Sequence, residues 1–370
     1  MKISTPVSLQ RIYSGCAYMA LLISLLLSAC TQPQADSTPQ KIPVKVVVVS
    51  MFEAGEEVGD RPGEMQFWVE RLPLPDSFPF PQGYRQLRYN PDLGVLSIMT
   101  GIGNTKAAAS IMALGLDPRF DLSKAYWLVA GISGGDPADA PTGSAAWAEW
   151  LIDGDLSHEI DAREIPEDWK TGYIPLRRTE PYAQPVATNN EGVVARLNPK
   201  LVDWAYSLTK DMELPDNDEI KSMREQYTGY AAAEMKPFVL KGDQLAGSTY
   251  WHGELLTEWA NDWVKYWTGG EGNFVTSAME EMGTYHSLDR LHQSGLVDKD
   301  RLLVLRTASN FSMQWPGITA QQSLAGEKLT GKGYSAYIPS LESAYQVGEV
   351  VVKALVEGWD KYETTMPKAE

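Results

Sequence analysis

Apolar residues along this chain fall in short blocks, separated by glycine turns and by amphipathic stretches. Pro43 precedes a β-branched run at 44–50, which predicts a buried first strand. Residues 94–100 predict a second strand ending in Gly101-Ile102-Gly103-Asn104, with Asn104 placed to cap an alanine-rich helix over 105–116. A third strand at 125–130 stops at Gly131-Ile132-Ser133-Gly134-Gly135, and 144–152 reads as a fourth. Further on, helical patterning at 199–211, 254–267, 279–293 and 341–359 alternates with strand-like runs at 273–278 and 302–307. Strand, glycine turn and helix in alternation predict an α/β fold: a central, mostly parallel or mixed, twisted sheet flanked by helices. No linker divides residues 43–366, so one domain is expected, enlarged by long loops at 53–90 and 154–197.

The N-terminal pattern is different. Lys2 and Arg11 lead into an apolar run at 17–30 that ends Leu27-Ser28-Ala29-Cys30. Small residues before a cysteine predict a lipoprotein signal over 1–29, with Cys30 lipidated after cleavage. The run falls short of the ~20 apolar residues that a spanning helix needs. A polar, proline-containing tether, 30–42 counted from the lipidated cysteine, links it to the body. The expectation is a periplasmic or cell-envelope lipoprotein held by a lipid anchor. Thr31, rather than Asp, after the cysteine favours the outer membrane.

Charge and cysteine usage narrow the chemistry. The net charge is −16, and the predicted cleavage removes two basic residues and no acidic one. So acidic a body is a poor partner for nucleic acid. Of two cysteines, Cys16 leaves with the leader and Cys30 takes lipid, so the body has no thiol for a disulfide, metal site or nucleophile. The four histidines show no metal-ligand spacing, and neither a metal nor a cofactor is expected. The glycine turns match neither GxGxxG nor a Walker loop.

In open α/β sheets ligands sit beyond the C-terminal ends of strands. The turns 101–104 and 131–135 leave backbone N–H groups open to an anion or a sugar. A third cluster is richer. Met279-Glu280 ends one strand, and Arg306-Thr307-Ala308-Ser309-Asn310 ends the next. A carboxylate can accept both hydrogen bonds of a vicinal diol, and a neighbouring guanidinium keeps it ionised. An Asn amide can donate to the charge that develops on a departing heterocycle. The same residues can equally form a plain ion pair with a loop-capping Asn.

The order of these segments is similar to the nucleoside phosphorylase and nucleosidase fold. More closely, the body resembles the purine nucleoside permease family, through VKVVVVSMFEAGEE, SIMTGIGNTKAAAS, WLVAGISGG, NFVTSAMEEMGTYHSLDRL and LLVLRTASNF. The resemblance implies that Glu280 grips the ribose hydroxyls above Met279, and that Asn310, supported by Ser309, hydrogen-bonds purine N7. It implies that Arg306 orients the attacking water and that Ser133 and Gly134 face the sugar or phosphate. The segment 242–252 then supplies the base pocket, with Tyr250 or Trp251 as a π-face and His252 as a polar contact.

Departures from the phosphorylase pattern matter. Val129 stands where those enzymes carry a phosphate-binding Arg, and the early loop carries Glu53, Glu56 and Glu57 in place of another. Carboxylates repel phosphate dianion, so phosphate as co-substrate is disfavoured, and Glu53 and Glu56 are candidates for a water-activating base, a plain solvated role for either being equally open. Three functions are compatible with this reading. The first is cleavage of the N-ribosidic bond, hydrolysis being favoured over phosphorolysis. The second is non-catalytic nucleoside binding that assists uptake through a separate channel or permease, and the third is a scaffold on a borrowed fold. Related enzymes assemble, so a homo-oligomer is compatible too.

Overall fold

The β-branched run expected as the first strand folds as β1 (Val46–Ser50), buried at every position, inside a mixed sheet. This computed structural model describes residues 40–186, 192–329 and 336–369; the leader and Cys30 lie outside them. Ile42–Glu370 forms a unit by itself, separate from Met1–Lys41.

In chain order the strands that frame the site are β1, β2 (Leu87–Asn90), β3 (Val95–Met99), β4 (Tyr126–Gly135), β5 (Ala145–Trp147), β6 (Trp150–Asp153), β7 (Val194–Arg196), β8 (Val239–Lys241), β9 (Asp243–Ala246), β10 (Phe274–Ala278) and β11 (Leu302–Phe311). The helices that matter for the site and its support are α1 (Gln66–Arg71), α2 (Asn104–Gly115), α3 (Pro199–Thr209), α4 (Glu254–Trp267), α5 (Glu281–Gln293) and α6 (Tyr337–Glu357). The sheet runs β7-β6-β9-β10-β4-β1-β3-β2, with the strand Asp76–Phe78 at the edge beyond β2, and β11 branches from β4 through β5 to β8. Pairing is parallel for β1 with β3 and β4, for β4 with β11, and for β9 with β6 and β10. It is antiparallel for β10 with β4 and for β11 with β5. Helices flank this sheet: α6 packs on β4 and β11, α4 on β9 and β10, and α2 against α5. Val46–Val49, Trp127 and Leu303 belong to the main core, while a second, aromatic core gathers Trp259, Trp263, Tyr266 and Trp267 of α4 with Phe274.

Several elements differ from the sequence pattern. The glycines at 131–135 do not turn; they continue β4 beside β11 throughout, and Gly134 and Gly135 also pair with β10 on the other side. At Gly134 a Cβ would stand 2.8 Å from Ser277 Oγ, so glycine here serves close strand approach. Asn104 is the first residue of α2, not its cap, and its side chain accepts from Gly283 N–H at 3.0 Å, tying α2 to α5. Residues 144–152 divide into β5 and β6, which pair with different neighbours. The expected loop at 53–90 contains α1, β2 and the strand Asp76–Phe78; that at 154–197 contains β7 and the antiparallel hairpin Ser157–Glu159 with Tyr173–Pro175.

Candidate functional site

A cavity of about 260 Å³ opens where β4, β10 and β11 end, with Glu64, Ser133, Glu280, Arg306, Ser309 and Asn310 among its lining residues. Glu280 and Asn310, far apart in sequence, thus share one space. Local backbone explains how. Glu280 is the N-cap residue of α5, directly beyond β10, where the helix dipole favours a negative charge. In β11 the register against β4 slips between Ala308 and Asn310. Such a bulge breaks the strict alternation of faces, so consecutive Ser309 and Asn310 both reach the cavity.

The floor of the cavity is a buried charge cluster. Arg306 donates from Nη2 to Glu280 Oε2 at 2.7 Å, from Nη1 to the Ile132 carbonyl at 3.1 Å, and from Nε to Glu281. A third carboxylate, Glu64, lies 3.8 Å from Nη1. Glu280 also accepts from Gly103 N–H at 3.0 Å, so the GIGN turn, with Gly103 at φ 100°, hydrogen-bonds the protein's own carboxylate. Glu281 accepts from the Glu280 N–H at 3.1 Å and from Gln244 at 3.4 Å. Glu64 accepts backbone N–H groups on both oxygens, from Met51 and from Ile132, each at 2.8 Å. A side chain at Gly131 would collide with Met51 and with the Glu64 carboxylate, so glycine there makes the room.

Three carboxylates around one guanidinium carry excess negative charge, and burial makes that costly. Burial pushes Glu64 up to about 8; Arg306 and the two backbone N–H groups pull the other way, and Glu280 adds to the rise. Burial also raises Glu280, with Arg306 opposing and Glu281 reinforcing. Glu64 therefore exchanges its proton near neutral pH, the range a general base needs.

The opposite wall is set by Asn310. Its Oδ1 accepts from Ser309 Oγ at 3.0 Å, which orients the amide so that Nδ2 donates to Tyr250 Oη at 3.1 Å and to the Phe311 carbonyl at 3.1 Å. Ser133 Oγ is buried beside the cavity with no hydrogen-bond partner among the described residues. Phe52, Ile102 and Tyr337 add apolar surface, and Ile102 is 47% exposed.

Of the residues expected from sequence, Met279, Glu280, Ser309, Asn310, Arg306, Ser133, Gly134 and Tyr250 line this cavity. Glu53, Trp251 and His252 do not. The Glu53 carboxylate accepts the Gln66 N–H at 2.8 Å and that of Gly63, closing its own loop. Trp251 packs edge-on against Trp259, their centroids 6.1 Å apart. His252 lies 3.0 Å from Ser323 Oγ, and burial pulls its pKa down to about 4. Sequence reasoning missed Glu64 and Glu281. The signal for Glu64 was a lone acid joined to an apolar run: Met65, Phe67, Trp68 and Val69 are all buried. Among the described residues no group of acids, histidines and cysteines is arranged to hold a metal ion.

The architecture matches solved nucleosidases in fold. Futalosine hydrolase of Helicobacter pylori is 14% identical, with 84% of this chain and 98% of that one covered at a TM-score of 0.50. A point mutant of the 5′-methylthioadenosine/S-adenosylhomocysteine nucleosidase of the same organism, solved with 5′-methylthioadenosine in its active site, is 13% identical, with coverages of 85% and 98% and a TM-score of 0.50. The chain thus has the nucleosidase-like phosphorylase fold. Within it, residues 43–367 match the model of the purine nucleoside permease family, and the chain belongs to that family. A purine nucleoside permease of Candida albicans is 30% identical over 325 residues, covering 86% of this chain and 77% of that protein. A "Probable purine nucleoside permease" of Schizosaccharomyces pombe is 29% identical, with coverages of 75% and 80%.

Proposed function

We propose that this protein binds a purine nucleoside in the Glu280–Asn310 cavity and hydrolyses its N-ribosidic bond. The observation that carries the reading is the convergence, in one cavity, of a diol acceptor, an oriented amide donor and a buried acid that titrates near neutrality. Glu280 accepts the ribose hydroxyls with its remaining lone pairs. Asn310 Nδ2 exchanges its hydrogen bond to Tyr250 Oη for one to purine N7, as negative charge gathers on the leaving base. Glu64, in place of the expected Glu53, takes a proton from water as its oxygen bonds to the anomeric carbon. The C–N bond breaks and its electron pair leaves with the purine, which is protonated from solvent.

Hydrolysis is favoured over phosphorolysis because Arg306, the cation among the cavity's described lining residues, already faces three carboxylates. A phosphate dianion entering there meets net negative charge. The test is release of free base from inosine, guanosine and adenosine by purified protein. Release without phosphate, unaccelerated by adding it, is expected; no release in either buffer overturns the reading.

One observation favours a second reading, binding without turnover in the service of uptake. Asn310 donates a hydrogen bond but has no proton to give the departing base, and the named relatives are permeases. Among the described residues no helix is long and apolar enough to cross a membrane. In that reading the body, tethered through a lipidated Cys30 at the cell envelope, hands nucleoside to a separate channel. Tight calorimetric binding with no base release distinguishes it.

A further inference from the structure

The cavity does not stop at Asn310. A small space shares Tyr250, Met279 and Asn310 with it, and shares Thr249 and Trp251 with a further chamber of about 300 Å³. Tyr250, 39% exposed, stands where the first two spaces meet. The far chamber is built differently from the first. Tyr173 and Trp259 stack with centroids 4.5 Å apart and planes inclined by 30°. Trp251 stands at 82° to Trp259, so the three rings make a corner. Asp155 and Glu159, both exposed, line the same chamber. Register places Glu159 directly opposite Tyr173 in the hairpin, so one element sets an aromatic wall and a carboxylate side by side. Asp155 is held by the Ser248 N–H. Among the described lining residues there is no Lys or Arg.

Aromatic faces beside carboxylates attract organic cations: the ring quadrupole and the charge both favour an ammonium, and the rings also cover its alkyl stem. On a purine, N7 and the substituent at position 6 lie along the same edge. A base that meets Asn310 through N7 therefore directs its 6-substituent past Asn310 and Tyr250, toward Trp251. We propose that the far chamber is a second subsite, which takes a cationic arm carried on position 6 of a purine nucleoside. This rests on the reading of the first cavity as a nucleoside site, and it adds a ligand class: 6-substituted purine ribosides ending in an alkylammonium group.

The experiment is a calorimetric comparison of adenosine with a short-to-long series of adenosines carrying an ω-aminoalkyl arm on the 6-amino group, and with neutral alkyl arms of matched length. At least one aminoalkyl member is expected to bind about fivefold or more tighter than adenosine, and tighter than its neutral counterpart, the scale of one partly desolvated cation–π contact. In the double variant Asp155→Asn with Glu159→Gln, the ratio of aminoalkyl to neutral-arm affinity is expected to fall to about one. Circular dichroism and adenosine binding report whether that variant is folded. Binding of adenosine with no member of either series binding as well, or a ratio that the double variant leaves unchanged, overturns the second subsite alone. Failure of adenosine and of every armed analogue to bind overturns the nucleoside reading beneath it.

Discussion

Two glutamate-bearing segments of this protein look alike in sequence, but their acids meet different fates. The loop from Met51 to Glu64 carries Glu53, Glu56, Glu57 and Glu64, and the β10–α5 junction carries Glu280 and Glu281. Within the loop, Glu53 spends its carboxylate on the N–H groups of Ala54, Gly63 and Gln66. Ten residues further on from Gly55, Glu64's close neighbour Met65 is fully buried, and Glu64 itself lies in the core against Arg306. At the junction both acids are buried and share that same guanidinium. Whether an acid serves the backbone or the cavity is decided by the burial of its neighbours, since only inside the core does a carboxylate lack water and need a cation.

The sharpest way to break this comparison is to remove the shared cation. Arg306→Met leaves three carboxylates buried without their partner, and a loss of about 3–5 kcal/mol in unfolding free energy is expected by denaturant titration. A loss below about 1 kcal/mol would mean that the cluster is not closed in solution. Next comes Glu280→Gln, which exchanges a charged acceptor of two sugar hydroxyls for an amide. About 100-fold weaker nucleoside binding is expected, from roughly 1.5–3 kcal/mol per hydrogen bond to a charged group.

Glu64→Gln separates chemistry from binding. Base release is expected to fall by about 100- to 10,000-fold while nucleoside affinity holds. Its pH behaviour is equally specific. Because the folded-state pKa is raised from 4.5 to about 8, the folded protein holds the Glu64 proton more tightly than the unfolded chain does. This contribution to stability is complete below about pH 4.5 and is lost as pH rises through about 8. Melting curves of the wild type against Glu64→Gln over that window are expected to diverge, the variant being flatter. The smallest effect belongs to Glu53→Gln. Weakening the loop closure costs about 1 kcal/mol of stability, in the range of a lost capping group. Nucleoside affinity should stay within about threefold; a larger drop would return Glu53 to the cavity.

Much of this was legible beforehand, and the rest was not for identifiable reasons. The uniform burial of β1 announces itself as a run of valines, and α4 was read from 254 to 267 because its apolar stripe repeats at the helical period. Glu280, Arg306 and Asn310 stood out because acid, base and amide followed strand-like runs. The bulge that turns both Ser309 and Asn310 to the cavity has no signature in LRTASN. The glycines at 131–135 read as a turn because glycine breaks strands by local preference; only contact with Ser277 and Glu64 reveals that their bare Cα atoms admit neighbours. Trp251 and His252 are expected at the base because 242–252 resembles the segment that stacks on the purine in related enzymes. Trp251 instead packs against the aromatic core and lines the adjoining small space, and His252 pairs with Ser323, so neither lines the main cavity beside Glu280.

One cavity, holding a purine riboside between Glu280 and Asn310, underlies the proposed function. Calorimetric titration of inosine into the wild type and into Glu280→Gln, Asn310→Ala and Glu53→Gln tests it most directly. Saturable one-site binding is expected, which Glu280→Gln and Asn310→Ala each abolish or weaken at least tenfold and Glu53→Gln preserves. Wild-type affinity retained in both cavity variants, with all four proteins folded, would contradict it.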